Sequence, residues 1–332
     1  MSGTPEQFTA FVATRDDDAV HREVKQVSRD DLGEGDVTIE VAYSSVNFKD
    51  GLATIAKGQV ARISPLIPGI DMAGTVVAST SDAYAEGDAV LAHGYAIGVA
   101  HHGGYAQFAR VPAEWVVPLD GLSAKDAMTI GTAGFTAAMS VQRIQERGIT
   151  PDDGPVLVTG ASGGVGSVGV DLLAGQGYDV VASTGDESAH DWLRERGAGE
   201  IIDRLDTDDI RPLGKQRWAA AVDCVGGAPL AAILSMVSIG GLVAASGNTA
   251  GLAVETSVAP FILRGITLAG IDSENMPIDD RRALWARLAD ADDLRPRGLE
   301  ASETVGLDQL EATLDSILEG GTRGRVLVQL DA

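Results

Sequence analysis

The chain has 332 residues, with 48 acidic residues against 25 basic ones and a formal net charge of −23. A surface this acidic repels the backbones of DNA and RNA, so the composition argues against a nucleic-acid partner. No apolar run is long enough to cross a bilayer, and the first residues lack the basic and apolar blocks of a secretory signal. The sequence therefore predicts a soluble, cytoplasmic protein with no membrane partner.

Lysine is scarce, since only five of the 25 basic residues are lysine. Acid-rich and lysine-poor surfaces are typical of halophile-like cell interiors, where salt weakens the repulsion between like charges. The alternative is an acidic enzyme of a mesophile. Neither interpretation bears on the reaction, but the length favours two domains over one.

The first third of the sequence predicts β-structure. In DVTIEVAYSSVN, the apolar residues Val37, Ile39 and Val41 alternate with polar ones, as in a half-buried strand. The segments GTVVAS, GDAVLAHG and GGYAQFARV repeat this pattern at short spacing, with glycines between them. Several short strands with turn signals predict a small β-barrel.

The pattern changes at LSAKDAM, where Ser123 is suited to cap a helix with Asp126 three residues further on. The helical pattern ends near Gly148. Strands and helices then alternate from VLVT to GITLAGID, which is typical of a parallel, doubly wound sheet in an α/β fold.

The tail predicts helices over 279–290 and 307–318, followed by a last strand, GRVLVQL, that returns to the first domain. We therefore predict a first domain over 1–122, completed by 273–332, and a second domain over 123–272.

A glycine-rich run, VLVTGASGGVGSVGV, joins a predicted strand to a predicted helix. It fits a phosphate-binding loop in two registers, Gly160-x-x-Gly163-x-x-Gly166 and Gly164-x-Gly166-x-x-Gly169. Without Cβ atoms the backbone can approach a pyrophosphate closely, and the start of a helix offers free N–H groups. The next strand, YDVVAST, leads to Asp186, where a carboxylate that accepts a hydrogen bond from the ribose is expected. We predict a dinucleotide site.

Five segments in order resemble the zinc-independent acryloyl-CoA reductase or quinone oxidoreductase subgroup of the medium-chain dehydrogenase/reductase superfamily: VNFKDGLA, IPGIDMAGTV, IGTAGFTAAMSV, VTGASGGVGSVGV and APFILRGITLAGIDS. The resemblance implies a GroES-like β-barrel catalytic domain, a Rossmann domain with a doubly wound parallel sheet, a cleft between them and a homodimer.

The predicted cofactor-binding residues combine the glycine run with positions that the resemblance implies. They are Thr132, Gly160, Ser162, Gly163, Gly164, Val165, Gly166, Thr184, Asp186, Ser246 and Arg325. Thr132 would face the nicotinamide, although small residues there are also typical of close helix packing. Arg325 would contact a phosphate, although most arginines are solvated surface residues.

The choice between NADPH and NADH depends on Asp186. Members of the subgroup commonly carry an arginine here, in the context Ser-Gly-Arg-Glu-Ser, where it would bind the 2′-phosphate of NADPH. This chain has Asp186 in the context Thr-Gly-Asp-Glu-Ser, and a carboxylate would repel that phosphate and favour the free 2′-hydroxyl of NADH. The family favours NADPH and the residue favours NADH.

A metal is not expected. Zinc-dependent relatives carry a catalytic cysteine, a Gly-His-Glu motif and a four-cysteine lobe, whereas this chain has Gly69-Ile70-Asp71 and the single cysteine Cys224. Hydride transfer without a Lewis acid restricts the substrate to an alkene that is already electrophilic, such as one conjugated to a thioester.

The segment Asn47-Phe48-Lys49-Asp50 is predicted to be a loop at the end of a strand of the first domain, and it matches the active-site segment of the subgroup. Asn47 would donate its amide to the substrate carbonyl or the nicotinamide ribose. Lys49 would stabilise an enolate, and Asp50 would orient Lys49 or relay a proton. The alternative is an exposed turn with a local ion pair.

Three further residues are candidate substrate contacts: Phe48, His101 and Arg264. Phe48 stands where relatives often have tyrosine, which excludes a tyrosine acid at this position. For His101 a structural role is the alternative, and for Arg264 a solvated surface position.

These residues lead to one main hypothesis, the NAD(P)H-dependent reduction of a short 2-enoyl-CoA thioester, with acryloyl-CoA giving propanoyl-CoA. A quinone or enone reductase is the alternative enzyme, because it needs the same cofactor but no acyl-CoA contact. The alternative from another class is a non-catalytic binding protein that uses the nucleotide as a structural ligand or binds RNA, although the net charge of −23 argues against RNA.

Overall fold

The computed structural model describes residues 5–17, 19–298 and 300–330. The chain folds into two compact units. The first unit comprises Met1–Thr132, Glu274–Ala289 and Leu299–Ala332, and the second comprises Ala133–Ser273 and Asp290–Gly298. The first boundary between the units lies inside a helix, later in the chain than the change of pattern at Ser123. Within the described ranges, no helix is both long and apolar enough to span a membrane.

The described residues form fifteen strands, numbered in chain order. They are β1 Gln7–Asp16, β2 Ala19–Ser28, β3 Val37–Ser45, β4 Asp71–Ser79, β5 Ala89–His93, β6 Phe108–Val111, β7 Val116–Pro118, β8 Val156–Thr159, β9 Val180–Ser183, β10 Glu200–Ile202, β11 Trp218–Asp223, β12 Val237–Ala245, β13 Thr267–Gly270, β14 Glu303–Val305 and β15 Val326–Gln329.

The α-helices are numbered in the same way. They are α1 Phe48–Ala53, α2 Ala124–Glu146, α3 Gly164–Gly175, α4 His190–Glu195, α5 Gly227–Met236, α6 Ala259–Arg264, α7 Ile278–Ala289 and α8 Leu310–Leu318.

The first unit is built on a sheet in the order β14-β15-β3-β4-β5-β7, with β6 paired to β3 and a separate β1–β2 hairpin. Strand β3 pairs antiparallel with β4, β6 and β15. Its residues Val37, Ile39 and Val41 are at most 1% exposed and belong to the core of this unit. The predicted return of the last strand is confirmed, because β15 pairs with β3 through Leu327 and Ser45.

The second unit contains a six-stranded sheet in the order β10-β9-β8-β11-β12-β13, and every pair in it is parallel. The chain leaves β8 towards one edge through β9 and β10, then returns to β11 and continues to the other edge. This confirms the predicted doubly wound sheet. A ligand is expected at the carboxyl ends of β8 and β11, where the strand order reverses.

The structure corrects two local predictions. The segment that starts at Phe48 is the first turn of helix α1, whereas the sequence predicted a loop at the end of a strand. Helix α2 has a break at Gly131, whose φ of 53° and ψ of −164° are not helical. Both features follow from the polar side chains around them.

Candidate active site

The glycine loop of the second unit follows β8 directly and leads into α3. Gly163 is the N-cap of the helix, and the first helical hydrogen bond runs from the Ser167 N–H to the Gly163 carbonyl at 3.0 Å. The N–H groups of Gly164, Val165 and Gly166 lie in the first turn, where a helix offers them no acceptor of its own. Three such groups at the start of a twelve-residue helix form a site suited to an anion.

Three glycines of this loop differ in the space around them. Gly160 has a φ of +57°, which favours glycine. A Cβ on Gly166 would lie 2.3 Å from the Gly160 carbonyl oxygen, so Gly166 is required by the fold itself. A Cβ on Gly163 would meet only that same oxygen, at 3.3 Å, among atoms of the described residues within 4 Å. The outer side of Gly163 is open to a ligand, and the loop fits a dinucleotide phosphate.

The ends of β8 and β11 are joined by a buried hydrogen bond at the point where the strand order reverses. The Thr159 hydroxyl donates to the Asp223 carboxylate at 2.8 Å, and Asp223 also accepts the Gly226 N–H at 2.9 Å. Burial raises the pKa of Asp223. Ser246, a predicted cofactor residue, donates its hydroxyl to the Asp223 carbonyl at 3.3 Å. These contacts hold the loops that border the glycine run.

The predicted ribose-binding end lies after β9. Ser162 and Thr184 are joined by their hydroxyl groups at 2.9 Å, so the structure brings two of the predicted cofactor residues together. The Asp186 carboxylate accepts the Ser188 N–H at 3.0 Å and the Ser188 hydroxyl at 2.5 Å, and it thereby caps the short helix that follows.

Sequence reasoning missed Arg204, which lies beside Gly185 at this same end of the sheet. A Cβ on Gly185 would be 2.6 Å from Arg204 Nε and 2.9 Å from its Cζ. Arg204 follows β10 closely, and β10 pairs with β9 through Ile202 and Ser183. The sequence carried a signal for this contact. Arg204 follows the third strand of the second unit, and in a parallel sheet that position lies next to the end of the second strand.

Arg264 is engaged by backbone carbonyl groups of the second unit, which argues against the predicted substrate contact. Its Nη1 donates to the carbonyl oxygens of Ser235 at 2.7 Å and Val237 at 3.1 Å, and its Nη2 donates to Gly214 at 2.5 Å. The carbonyl groups at the carboxyl end of a helix lack intrahelical donors, and Arg264 supplies them at the end of α5.

In the first unit, a buried polar network surrounds Asp71, the first residue of β4, which is 0% exposed. Its Oδ1 accepts the Ser45 N–H at 2.9 Å, and the Ser45 hydroxyl lies 2.7 Å from both carboxylate oxygens. Its Oδ2 accepts the Asn47 amide at 3.0 Å and the Thr132 N–H at 2.9 Å. Asn47 and Thr132, two predicted site residues, are therefore joined by one carboxylate oxygen.

Arg325 belongs to this network, which corrects its predicted role at a cofactor phosphate. It is 4% exposed, and its Nη2 donates to the Ser45 hydroxyl at 2.6 Å. Its Nε donates to the Thr129 carbonyl at 3.1 Å, and its Nη1 lies 3.4 Å from Asn47 Oδ1. Burial lowers the pKa of Arg325, while the Asp71 carboxylate opposes that shift. A buried guanidinium with these partners offsets the buried negative charge.

The break in helix α2 makes room for this network. A Cβ on Gly131 would lie 2.6 Å from Arg325 Nη2, 2.7 Å from Ser45 Oγ and 3.0 Å from Asp71 Oδ2. With its positive φ, Gly131 turns the next N–H, that of Thr132, towards Asp71. Small residues in this segment thus serve close packing of polar groups.

Asp50 is 0% exposed and caps its own helix. Its Oδ2 accepts the N–H of the N-cap residue Asn47 at 2.9 Å, and its Oδ1 accepts the N–H groups of Gly69 at 3.2 Å and Ile70 at 2.9 Å. Burial first, and then the nearby Asp71, raises the pKa of Asp50 to about 7. The capping is the reason that Phe48–Ala53 forms a helix.

Lys49 does not pair with Asp50, which corrects the predicted orienting role of that carboxylate. Lys49 Nζ lies 2.5 Å from Glu274 Oε2, and the two side chains are 39% and 32% exposed. Phe48 precedes Lys49 in the first turn of α1 and is half-buried. Asp50 is therefore turned inward, whereas Lys49 is partly exposed. Sequence reasoning missed Glu274, which has no motif of its own.

Both ring nitrogens of His101 lie at backbone carbonyl groups, which favours the structural alternative over a substrate contact. Its Nδ1 lies 2.8 Å from the His102 carbonyl oxygen, and its Nε2 lies 2.8 Å from the Glu34 carbonyl oxygen. The ring also packs edge-on against Trp115. His102 accepts the Ile67 N–H at 3.1 Å, and burial lowers its pKa.

No group of three His, Cys, Asp or Glu side chains suited to a metal occurs in residues 5–17, 19–298 or 300–330. Asp71, which stands in the segment Gly69-Ile70-Asp71, is committed to Ser45, Asn47 and Thr132. These residues do not fit a zinc site, so no step is assigned to a metal.

Comparisons with known proteins agree with this architecture. Residues 33–121 match the family model of the alcohol dehydrogenase GroES-like domain, and residues 164–290 match that of zinc-binding dehydrogenases. The chain is 49% identical to YhfP of Bacillus subtilis, provisionally named a quinone oxidoreductase, over 97% of this chain and 99% of that protein. It belongs to the medium-chain dehydrogenase/reductase superfamily.

Two other relatives, and the solved structure of YhfP, are similar to this medium-chain dehydrogenase/reductase over nearly the whole chain. The acrylyl-CoA reductase AcuI of Ruegeria pomeroyi is 44% identical, over 98% of this chain and 100% of that protein. The crystal structure of the yhdH oxidoreductase of Salmonella enterica in complex with NADP has 44% identity and a TM-score of 0.93, over 97% of this chain and 100% of that one. The structure of YhfP with NAD bound has 48% identity and a TM-score of 0.94, over 98% and 100% of the two chains. The expected family and fold class are confirmed.

Proposed function

We propose that this protein reduces the C=C bond of a short 2-enoyl-CoA thioester with a nicotinamide cofactor, acryloyl-CoA giving propanoyl-CoA. The observation that carries the proposal is the accessible lysine on the active-site segment of the first unit, and the open glycine loop of the second unit supports the cofactor. Gly163 leaves room for a phosphate, and Lys49 is the charged residue of α1 that reaches the surface. AcuI, which is similar to this chain over its whole length, is named an acrylyl-CoA reductase.

The bound reduced cofactor would supply a hydride to the β-carbon of the substrate, which moves negative charge to the thioester oxygen. A lysine ammonium beside that oxygen stabilises the enolate. We assign this role to Lys49, with Phe48 as an apolar neighbour of the acyl group. Asn47 and Asp50 are turned into the protein, so we assign them to the shape of the segment and take the proton for the α-carbon from water.

Quinone or enone reduction is the second candidate, and the name of YhfP supports it. The two substrates share an electrophilic C=C bond, but only the thioester carries the nucleotide of coenzyme A, which the enzyme can bind. Purified protein in 2 M KCl is mixed with acryloyl-CoA, crotonyl-CoA or 1,4-benzoquinone, and the absorbance of the reduced cofactor is followed. We expect saturable turnover of acryloyl-CoA and at least tenfold lower kcat/KM for benzoquinone. The reverse ratio would transfer the proposal to the quinone.

For the cofactor, we propose NADPH over NADH. The Asp186 carboxylate is engaged by Ser188, and the Arg204 guanidinium lies next to Gly185, where a 2′-phosphate would be placed after β9. A guanidinium suits a phosphate through charge and paired N–H groups. Arg204 would thus supply the charge that relatives place at the position of Asp186. The relatives themselves divide, with NADP in one structure and NAD in another.

Fluorescence titration of the reduced cofactors tests this choice without any substrate. We expect the wild type to bind NADPH at least tenfold more tightly than NADH, and Arg204→Gln to lose this preference with its NADH affinity unchanged. Arg211→Gln is the matched control, because Arg211 is 77% exposed and its ion-pair partner is Asp209. Equal binding of both cofactors by the wild type would contradict the proposal.

For the assembly, we propose a homodimer formed through the β13 edge of the second unit. Strand β13 pairs with β12 on one side and is the last strand of the sheet. Large apolar side chains are exposed on β13, on its neighbour β12 and on the segment that precedes β13: Leu268 40%, Ile239 72%, Val258 69%, Ile262 72% and Leu263 65%. Exposed edges and apolar patches on an otherwise acidic surface favour pairing with a second copy. The substrate and cofactor are metabolites of the cell interior, so we place the enzyme in the cytoplasm.

A further inference from the structure

One oxygen atom of Asp71 joins two segments of the first unit that are far apart in the chain. Its Oδ2 accepts from Asn47 Nδ2 at 3.0 Å and from the Thr132 N–H at 2.9 Å. Asn47 is the N-cap of α1, whose first turn carries Lys49. Thr132 follows the break in α2. The carboxylate therefore fixes the start of α1 against the α2 segment.

Both ends of the Asn47 amide have partners of defined polarity. Asp71, a pure acceptor, lies against the nitrogen, while the Nη1 of Arg325, a pure donor, lies 3.4 Å from the oxygen. Only one of the two amide orientations satisfies both neighbours. At the start of α1, the Asp50 carboxylate accepts the Asn47 N–H at 2.9 Å, so the backbone of the N-cap residue is held as well as its side chain.

The Ser45 hydroxyl links the two charges. It lies 2.7 Å from both oxygens of Asp71 and accepts from Arg325 Nη2 at 2.6 Å. A buried carboxylate without such compensation would be costly, and a neutral amide in its place would present an N–H group to other donors. Charge and geometry thus both require an acid at position 71.

We propose that Asp71 is a positioning residue for the reaction: by holding Asn47 and Thr132 on one oxygen, it aims the first turn of α1, and with it Lys49, at the substrate. The role rests on the proposed function, because it acts through Lys49. Asp71 itself touches no reacting atom, since it is 0% exposed.

Asp71→Asn tests the proposal against a matched control, Asp171→Asn. Asp171 is a 3% exposed carboxylate of the second unit that accepts the N–H groups of Arg297 at 2.7 Å and Gly298 at 2.8 Å. Both variants lose a buried acceptor of backbone N–H groups, so they are first matched for folded fraction by urea unfolding. With acryloyl-CoA and C4-deuterated NADPH, we expect Asp71→Asn to lower kcat at least tenfold more than the control and to raise the primary isotope effect.

A loss of folded enzyme alone would lower kcat and leave the isotope effect unchanged, and that result would overturn the proposal. The second readout needs no substrate: the ¹⁵N–¹H signal of the Asn47 side-chain amide, assigned by its loss in Asn47→Ser. We expect slow exchange with solvent in the wild type and in Asp171→Asn, and at least tenfold faster exchange in Asp71→Asn. Unchanged exchange would also overturn the proposal. If the wild type reduces neither a thioester nor a quinone, the proposed function fails, and the exchange rates still decide the role of Asp71.

Discussion

Lys49 and Glu274, 225 residues apart in the chain, form a salt bridge of 2.5 Å within the first unit. Both side chains are partly exposed, so the pair contributes little to stability, about 0–1 kcal/mol. Its significance is positional, because it holds the one outward-facing charge of the α1 turn. Because the Lys49 ammonium is partly exposed, it could exchange its ion pair with Glu274 for one with an anionic substrate.

Replacing Lys49 with alanine is expected to lower kcat for the enoyl-CoA about 10²-fold, which is the scale for removing one electrostatic donor from a reacting oxygen. The unfolding free energy should change by no more than about 1 kcal/mol. Steady-state kinetics and urea unfolding measure the two quantities. The control is Glu274→Gln, which removes the partner and keeps the lysine. An unchanged kcat in Lys49→Ala would exclude Lys49 as the stabilising charge.

The glycine loop offers a pair of variants that separate folding from binding. Gly163→Ala should fold normally, because φ is −83° and a Cβ needs only a small adjustment at the Gly160 oxygen. We expect it to weaken NADPH binding at least tenfold, since the methyl group projects to the open side. Gly166→Ala should instead destabilise the second unit by about 1–3 kcal/mol through overpacking. Calorimetry and cofactor titration distinguish the two. Normal NADPH affinity in Gly163→Ala would mean that the phosphate does not lie against this loop.

Asp50 gives a prediction about pH. Its pKa in the folded protein is raised from 3.8 to about 7, so its contribution to stability is fully present below pH 3.8 and is lost as the pH rises through about 7. The difference in unfolding free energy between the wild type and Asp50→Asn should therefore fall by roughly 2–3 kcal/mol from pH 5 to pH 8. Urea unfolding at constant ionic strength measures it. A constant difference across this range would show that Asp50 keeps an ordinary pKa.

The proposed dimer predicts that acidic replacements at the β13 edge dissociate the protein. Ile262→Asp with Leu268→Asp places two charges on side chains that are 72% and 40% exposed. Sedimentation velocity in 2 M KCl should give the mass of one chain for this variant and of two chains for the wild type. Val24→Asp is the control, because Val24 is 44% exposed but lies in the first unit. A wild type that sediments as a monomer would rule out the dimer.

Much of the fold could be predicted from the sequence, because its signals are local. Strand β3 alternates Val37, Ile39 and Val41, the glycine run stands between β8 and α3, and the apolar segments of the second unit alternate with helical ones. Each pattern lies within a few residues of the chain. The hairpin β1–β2 and helix α1 were missed, since the helix has only six residues and depends on Asp50 for its start.

The site could be predicted only where a motif is contiguous. The glycine loop is such a motif. The contact between Arg204 and Gly185 is not, because it forms only where β10 lies beside β9. Charged residues caused most of the errors. Arg264, Arg325 and Asp50 have the chemistry of ligands, but each is used to satisfy backbone or side-chain groups inside the protein. Their burial depends on long-range packing, which a sequence pattern does not reveal.

The surroundings of Gly131 have a consequence for how this protein can diverge. Any side chain at that position would displace Arg325, Ser45 or Asp71. A smaller residue at 325 would make space but leave the Asp71 carboxylate without its compensating charge. Single replacements at these positions are therefore blocked, and drift along this part of the sequence requires several concerted substitutions. In a mutational library, positions 45, 71, 131 and 325 should therefore tolerate substitutions only in combination.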